Sequence, residues 1–195
     1  MAQNWEELNQ LTIEKLSSGD MDGAVSAAKA ALERAEAVGD NKMIAVSQAN
    51  LGEMYLEAGD PDSAEDTLKK ALGSYIAADD SMGAAGIYDV LGGLYADMGR
   101  APDAEEMYGK ELELLENGDQ NDPEFLSAVT QTLQGLGESV FEQGRIDEAE
   151  KHLNRAISLI ESKRSKDDLE LGPVLLNLAS VYAKKNDPEK AGETL

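Results

Sequence analysis

The 195-residue chain carries 39 acidic against 17 basic side chains, a net charge of −22, and it has no cysteine. That composition excludes a disulfide framework and a thiolate metal site. The field repels nucleic acid and anionic lipid and speeds encounter with a basic partner, with solubility as the plainer use. Nearly all the excess acid precedes Gly144; from Arg145 onward the two signs almost balance. No apolar run approaches the length of a membrane span. The start, Met1 to Glu7, lacks the basic-then-apolar order of a signal peptide, so a cytoplasmic location is expected.

Apolar spacing in chain order predicts ten helices, over 4–18, 21–38, 43–58, 61–77, 82–98, 102–117, 123–143, 146–162, 168–185 and 188–195. Short polar linkers such as Gly39-Asp40-Asn41 and Gly118 to Asp122 divide them. Five Pro and no β-branched alternating runs argue against sheet. The helices pair. A Leu followed by a small residue or Thr recurs as Leu11-Thr12, Leu51-Gly52, Leu91-Gly92, Leu136-Gly137 and Leu178-Ala179, spaced by 40, 40, 45 and 42 residues. Thirteen places behind each stands Ala24, Ala64, Ala104, Ala149 or Ala191. Seventeen behind are Ala28, Leu68, Tyr108, Leu153 and Leu195; twenty behind are Ala31, Ala71, Glu111 and Ala156. Eight behind, where a helix must end in the left-handed conformation, are Gly19, Gly59, Gly99, Gly144 and Asn186. Asp20, Asp60 and Asp187 follow directly as N-caps, and Pro61 and Pro188 take the first helical place. Arg100-Ala101-Pro102 and Arg145-Ile146 open their helices less regularly. Each hairpin has an apolar seam on both helices that only a stacked neighbour covers. Gly52, Gly92 and Gly137 are expected to let paired helices approach, with Ala64, Ala104 and Ala149 as the facing surface.

The Leu-Gly, Tyr55, Tyr95, Ala and Pro positions resemble the tetratricopeptide repeat over essentially the whole chain. The longer period, with Asp122-Pro123, Leu176-Asn177-Leu178-Ala179 and Tyr182, and Ala156-Ile157, is similar to the kinesin-light-chain type of repeat. The resemblance implies an all-α, right-handed α-solenoid of about five hairpins in one superhelical domain, with repeats near 4–40, 41–80, 81–121, 122–166 and 167–195. The first copy is degenerate, with Lys15 in the Tyr place. The last helix reaches Leu195 midway through its expected length. The chain is therefore expected to be a fragment of a longer array, or to end on another copy of itself.

Residues that could carry chemistry are sparse. His152 has no Cys and no partner constellation, and reads as a surface or packing residue. Acid pairs such as Asp79-Asp80, Glu105-Glu106 and Asp167-Asp168 read as first-turn acids and solvated charge. Loops at Asp20 and Asp119 fail as calcium loops: the sixth places hold Val25 and Glu124, the twelfth Ala31 and Thr130. Gly83 to Gly86 and Gly92-Gly93 lack the Lys-Ser/Thr of a phosphate loop. No enzyme activity, metal or cofactor is expected.

In the family the first helix of each pair lines a concave groove. By register, the groove here takes Asn50, Glu53 and Glu57 from the second copy, and Asp89 and Asp97 from the third. Gln134, Glu138, Phe141 and Glu142 come from the fourth, and Asn177 from the fifth. Asn50 and Asn177 could grip a ligand backbone with their amides, or could merely cap or solvate. Relatives that hold acidic chaperone tails use Lys and Arg where this chain has Asn9, Ile13, Gly86 and Val90, so that role is not implied. The resemblance implies instead a non-catalytic scaffold binding a basic or neutral extended protein segment, with no nucleic acid or membrane partner. The alternatives are a self-assembly module, a homo-oligomer through the C-terminal repeat, or the sensor domain of a longer protein.

Overall fold

A computed structural model of the chain describes residues 4–116, 123–163 and 171–194. Among these residues the secondary structure is entirely helical: α1 (Trp5–Ser17), α2 (Met21–Val38), α3 (Asn41–Glu57), α4 (Pro61–Ala77), α5 (Ser81–Asp97), α6 (Ala101–Leu115), α7 (Pro123–Glu142), α8 (Ile146–Lys163), α9 (Leu171–Lys184) and α10 (Pro188–Thr194). The fold is an all-α solenoid of paired helices, as the spacing predicts. Contacts group into two units, residues 1–87 and 88–195, with the boundary inside α5. The expected linker Gly118 to Asp122 and the acids Asp119, Asp167 and Asp168 lie outside the described residues, as does Leu195.

Local chemistry fixes each turn. Gly19, Gly59, Gly99 and Gly144 have φ of +76°, +74°, +69° and +78°, and Asn186 takes the same role at +57°. This is the left-handed region that side chains with a Cβ resist. The next helix then starts on a cap. Asp20 accepts from the Gly23 N–H at 3.0 Å, Asp60 from Ser63 N–H at 3.1 Å and Asp187 from Lys190 N–H at 3.1 Å. Asp40 accepts from both Lys42 and Met43, so α3 begins at Asn41, two residues earlier than the apolar spacing suggests. Asp80 likewise caps α5 through the Gly83 N–H at 2.9 Å. Arg100 and Arg145 occupy the cap place without capping. Each reaches an acid three residues on instead, Asp103 at 2.7 Å and Glu148 respectively. The first turn thus keeps a positive group bonded to its acid where the other copies have a carboxylate on backbone N–H.

In the first unit the core is small-residue packing. Ala24, Ala28, Leu51 and Met54 form a buried cluster, flanked by Leu16, Val25, Leu32 and Tyr55. Ala64 and Ala71 are fully enclosed. The Trp5 indole N–H donates to Ser47 Oγ at 2.7 Å, tying α1 to α3. Gly52, Gly92 and Gly137, behind their anchor Leu residues, lie closest to the residue seventeen behind the anchor: Leu68, Tyr108 and Leu153. A Cβ on Gly52 would lie 2.6 Å from Leu68 Cγ, and one on Gly137 would lie 2.9 Å from Leu153. Ala64, Ala104 and Ala149 are fully buried, and Leu68, Tyr108 and Leu153 fill the space over the glycines. In the second unit Leu133, Val140, Leu153, Ile160, Val174 and Val181 are buried between α7, α8 and α9.

Candidate functional site

The face predicted for binding is best developed in the second unit, where α7 and α9 lie side by side. Glu138 is exposed on α7, and its Oε1 accepts from Gln134 Nε2 at 2.9 Å and from Asn177 Nδ2 on α9. Beside this link is a hollow of about 350 Å³ lined by Glu138, Phe141, Glu142, Asn177 and Ser180, with Leu153 and Val181 at its apolar side. A second hollow of about 210 Å³ shares Glu138 and Glu142 and adds Asp97, Ala96, Gly99, Ala101 and Ser139. Asp97, Glu138, Phe141, Glu142 and Asn177 are thus brought together, with Gln134 attached through its hydrogen bond.

Neither hollow is lined by a basic side chain. In this unit many basic groups engage acids elsewhere. Arg145 bonds Glu105 at 2.6 Å and also Glu148; Arg155 bonds Glu116 at 2.7 Å; Lys110 bonds Glu106 at 2.5 Å. Lys185 bonds Asp147 at 2.5 Å and also Glu150. The Arg145 hydrogen bond holds the Glu105 carboxyl below its ordinary range. These pairs belong to the turns and second helices. Lys184 is exposed at the end of α9.

The other predicted residues are placed differently. Asp89 is half-buried on α5, and burial raises its carboxyl above the ordinary range. In the first unit Asn50 Nδ2 donates to Asn9 Oδ1 at 3.3 Å, joining α3 to α1. Asn50 and Asn177 therefore do a third thing: each amide reaches back to the first helix of the preceding hairpin. Glu53 and Glu57 are exposed one turn apart on α3. Desolvation by neighbouring side chains, then the Glu57 charge, lifts the Glu53 carboxyl.

Among the described residues no group of three or more His, Asp or Glu could hold a metal ion. His152 is half-buried, and burial pushes its imidazole down despite Glu148 and Glu105 nearby. The Asp20 carboxylate that opens the rejected calcium loop is bonded to Lys15 at 2.7 Å and caps α2. No helix among the described residues is long and apolar enough to cross a membrane.

Sequence reasoning overlooked a buried polar group in the third hairpin. Tyr108 replaces the Leu seventeen behind the anchor and Glu111 replaces the Ala twenty behind. Both substitutions were visible in the register; that Glu111 and Thr132 of α7 would be enclosed together was not.

Two-helix units stacked in register, with a left-handed turn closing each pair, define a helical-hairpin repeat protein. Sequence comparison matches the tetratricopeptide repeat over residues 15–77 and 128–195. The chain belongs to the tetratricopeptide repeat family. None of the curated proteins compared matches it. Among solved structures it is similar to BtubC (BKLC) from P. vanneervenii, with a TM-score of 0.84 and 21% identity over 97% of this chain and 76% of that one. Kinesin-light-chain TPR-like repeats from Podosopora anserina superpose with a TM-score of 0.80 and 16% identity, over 100% and 93% of the two chains. A Rap protein complexed with competence and sporulation factor gives 0.69 and 17%, over 97% of this chain and 51% of that one.

Proposed function

We propose that this chain is a non-catalytic scaffold that holds a basic or neutral extended protein segment on the first-helix face of its repeats. The observation that carries this reading is the pair of adjoining hollows along α7. Their shared rim is Glu138 and Glu142, Asp97 adds a third carboxylate, and Phe141, Leu153 and Val181 supply apolar surface. Carboxylates with no cation lining the same hollow favour a positively charged guest, while the apolar surface takes the stem of a long side chain. The tetratricopeptide family to which the chain belongs is built for such contacts, and a Rap structure of similar fold was solved with a bound factor. Affinity would come from a few side-chain sites and backbone contacts, with charge setting on-rate and selectivity.

The test is a fluorescence anisotropy screen of basic, neutral and acidic extended peptides against the wild-type chain and a Glu138→Lys/Glu142→Lys variant. Salt-sensitive binding of basic peptides that the variant loses supports the reading. Binding that is unaffected by the charge reversal, or that favours acidic peptides, sinks it.

A further inference from the structure

Glu111 sits where the repeat has no use for a carboxyl group. The equivalent places in three other hairpins are Ala31, Ala71 and Ala156, each buried. Glu111 is as deeply placed, with 4% of its surface exposed, and its Oε2 has no hydrogen-bond partner. An ionised carboxylate left this way carries the full penalty of a buried unpaired charge, far above that of a neutral acid.

Burial outweighs the one contact that favours the ionised form. From α7, a Thr132 hydrogen bond draws the Glu111 carboxyl down. The Thr132 hydroxyl also donates to the Ala128 carbonyl at 2.7 Å, which competes with Glu111 for its single proton. From α5, Asp89 faces Glu111 and opposes a second negative charge. On α6 itself, Tyr108 packs one turn away, its ring wedged against Gly92 and Gly135, where an added Cβ on either would lie 2.6 Å from it. Burial, and then the Asp89, Glu138 and Asp97 charges that face it, keep the Tyr108 hydroxyl protonated. Lys110, the nearest cation along α6, bonds Glu106 and lies over the Tyr88 ring at 5.9 Å.

We infer that Glu111 is a proton-dependent latch: it enters the α5–α6–α7 interface as the neutral acid, and its ionisation loosens that interface. Burial, and then the Asp89 charge, push its carboxyl up to about 8. The folded chain therefore holds a proton that the unfolded chain, with a carboxyl near 4.5, has already lost. Stability is fully present below about 4.5, falls as pH rises through the window, and levels off above about 8. Other paired carboxylates act in the opposite sense only at more acid pH. The inference is independent of what the first-helix face binds.

The experiment follows backbone amide exchange in α6 and α7, corrected for intrinsic rates, from pH 5 to 9 in wild type, Glu111→Gln and Glu111→Ala. The ¹³C shift of the Glu111 carboxyl is titrated in parallel in the wild-type chain. One linked proton predicts a protection factor falling about tenfold per pH unit through the window in wild type. Both variants should lose most of that slope, and the carboxyl should titrate near 8. A carboxyl midpoint below about 5.5, or a Glu111→Gln variant that keeps the wild-type slope, overturns the latch. If neither variant folds, the wild-type carboxyl titration decides alone.

Discussion

Two glycine-to-alanine substitutions on one pair of helices should change stability in opposite directions. Gly52 on α3 and Gly73 on α4 are both helical, and alanine is favoured over glycine in a helix by about 1 kcal/mol. At Gly73, which is exposed, an added Cβ meets nothing within 4 Å. Gly73→Ala should therefore stabilise by roughly that propensity gain of about 1 kcal/mol. At Gly52 the new methyl would stand 2.6 Å from Leu68 Cγ and 2.7 Å from its Cδ2. Relaxed carbon contacts lie near 3.5–4.0 Å, so the overlap is about 1 Å. Leu68 is fully buried and its branching carbon cannot swing aside. Overpacking of this kind costs about 1–3 kcal/mol, which cancels or exceeds the propensity gain. Urea unfolding monitored by circular dichroism measures both variants. Leu68→Ala alone should cost about 2–5 kcal/mol. Combined with Gly52→Ala it should cost less than the two single losses together, because the new methyl partly fills the space Leu68 vacates. A Gly52→Ala chain that gains stability as Gly73→Ala does would refute the registered packing of Leu-Gly against the residue seventeen behind.

Three further outcomes follow from the same geometry. Asn4 accepts from the Glu7 N–H at 2.8 Å while Glu7 closes the capping box, so Asn4→Ala should cost about 0.5–2 kcal/mol, read by denaturant unfolding of the first unit. Leu153 is buried against Gly137 and walls the larger hollow; Leu153→Ala should cost about 2–5 kcal/mol in the same assay and weaken any guest seated there. The Asp60 carboxyl is held below its ordinary 3.8 by the Ser63 side chain and then the Ser63 N–H. Its contribution is present above 3.8 and disappears as pH falls through the lowered value, so Asp60→Asn should lose less thermal stability than wild type between pH 4 and 2.

Most of the fold was legible because a repeat states its rules several times. One Leu-Gly is a coincidence, but Gly or Asn eight places behind every anchor is a turn, and the positive φ values at those places show why those residues are there. Helix starts were less legible: Asp40 caps α3 two residues before its first strongly apolar position, and a cap is a side-chain contact that periodicity does not carry. Register also named residues that meet at the candidate site, since Asp97, Glu138, Phe141 and Glu142 stand at the positions that the family resemblance assigns to the groove. The bond from Asn177 to Glu138 was out of reach, because it depends on how α9 lies on α7. The Glu111 site was written in the register as a broken Ala, but its meaning rests on how deeply it is enclosed and on the Asp89 charge facing it, which the register does not carry.

The central claim is that the first-helix face of the second unit receives a basic segment. The most direct measurement is ¹⁵N chemical-shift mapping of the chain as a basic extended peptide is titrated in at low and high salt. The account predicts shifts centred on Asp97, Glu138, Phe141, Glu142 and Asn177 that shrink as salt rises. Shifts centred on the second helices α6 and α8, or a response that salt leaves unchanged, would contradict it.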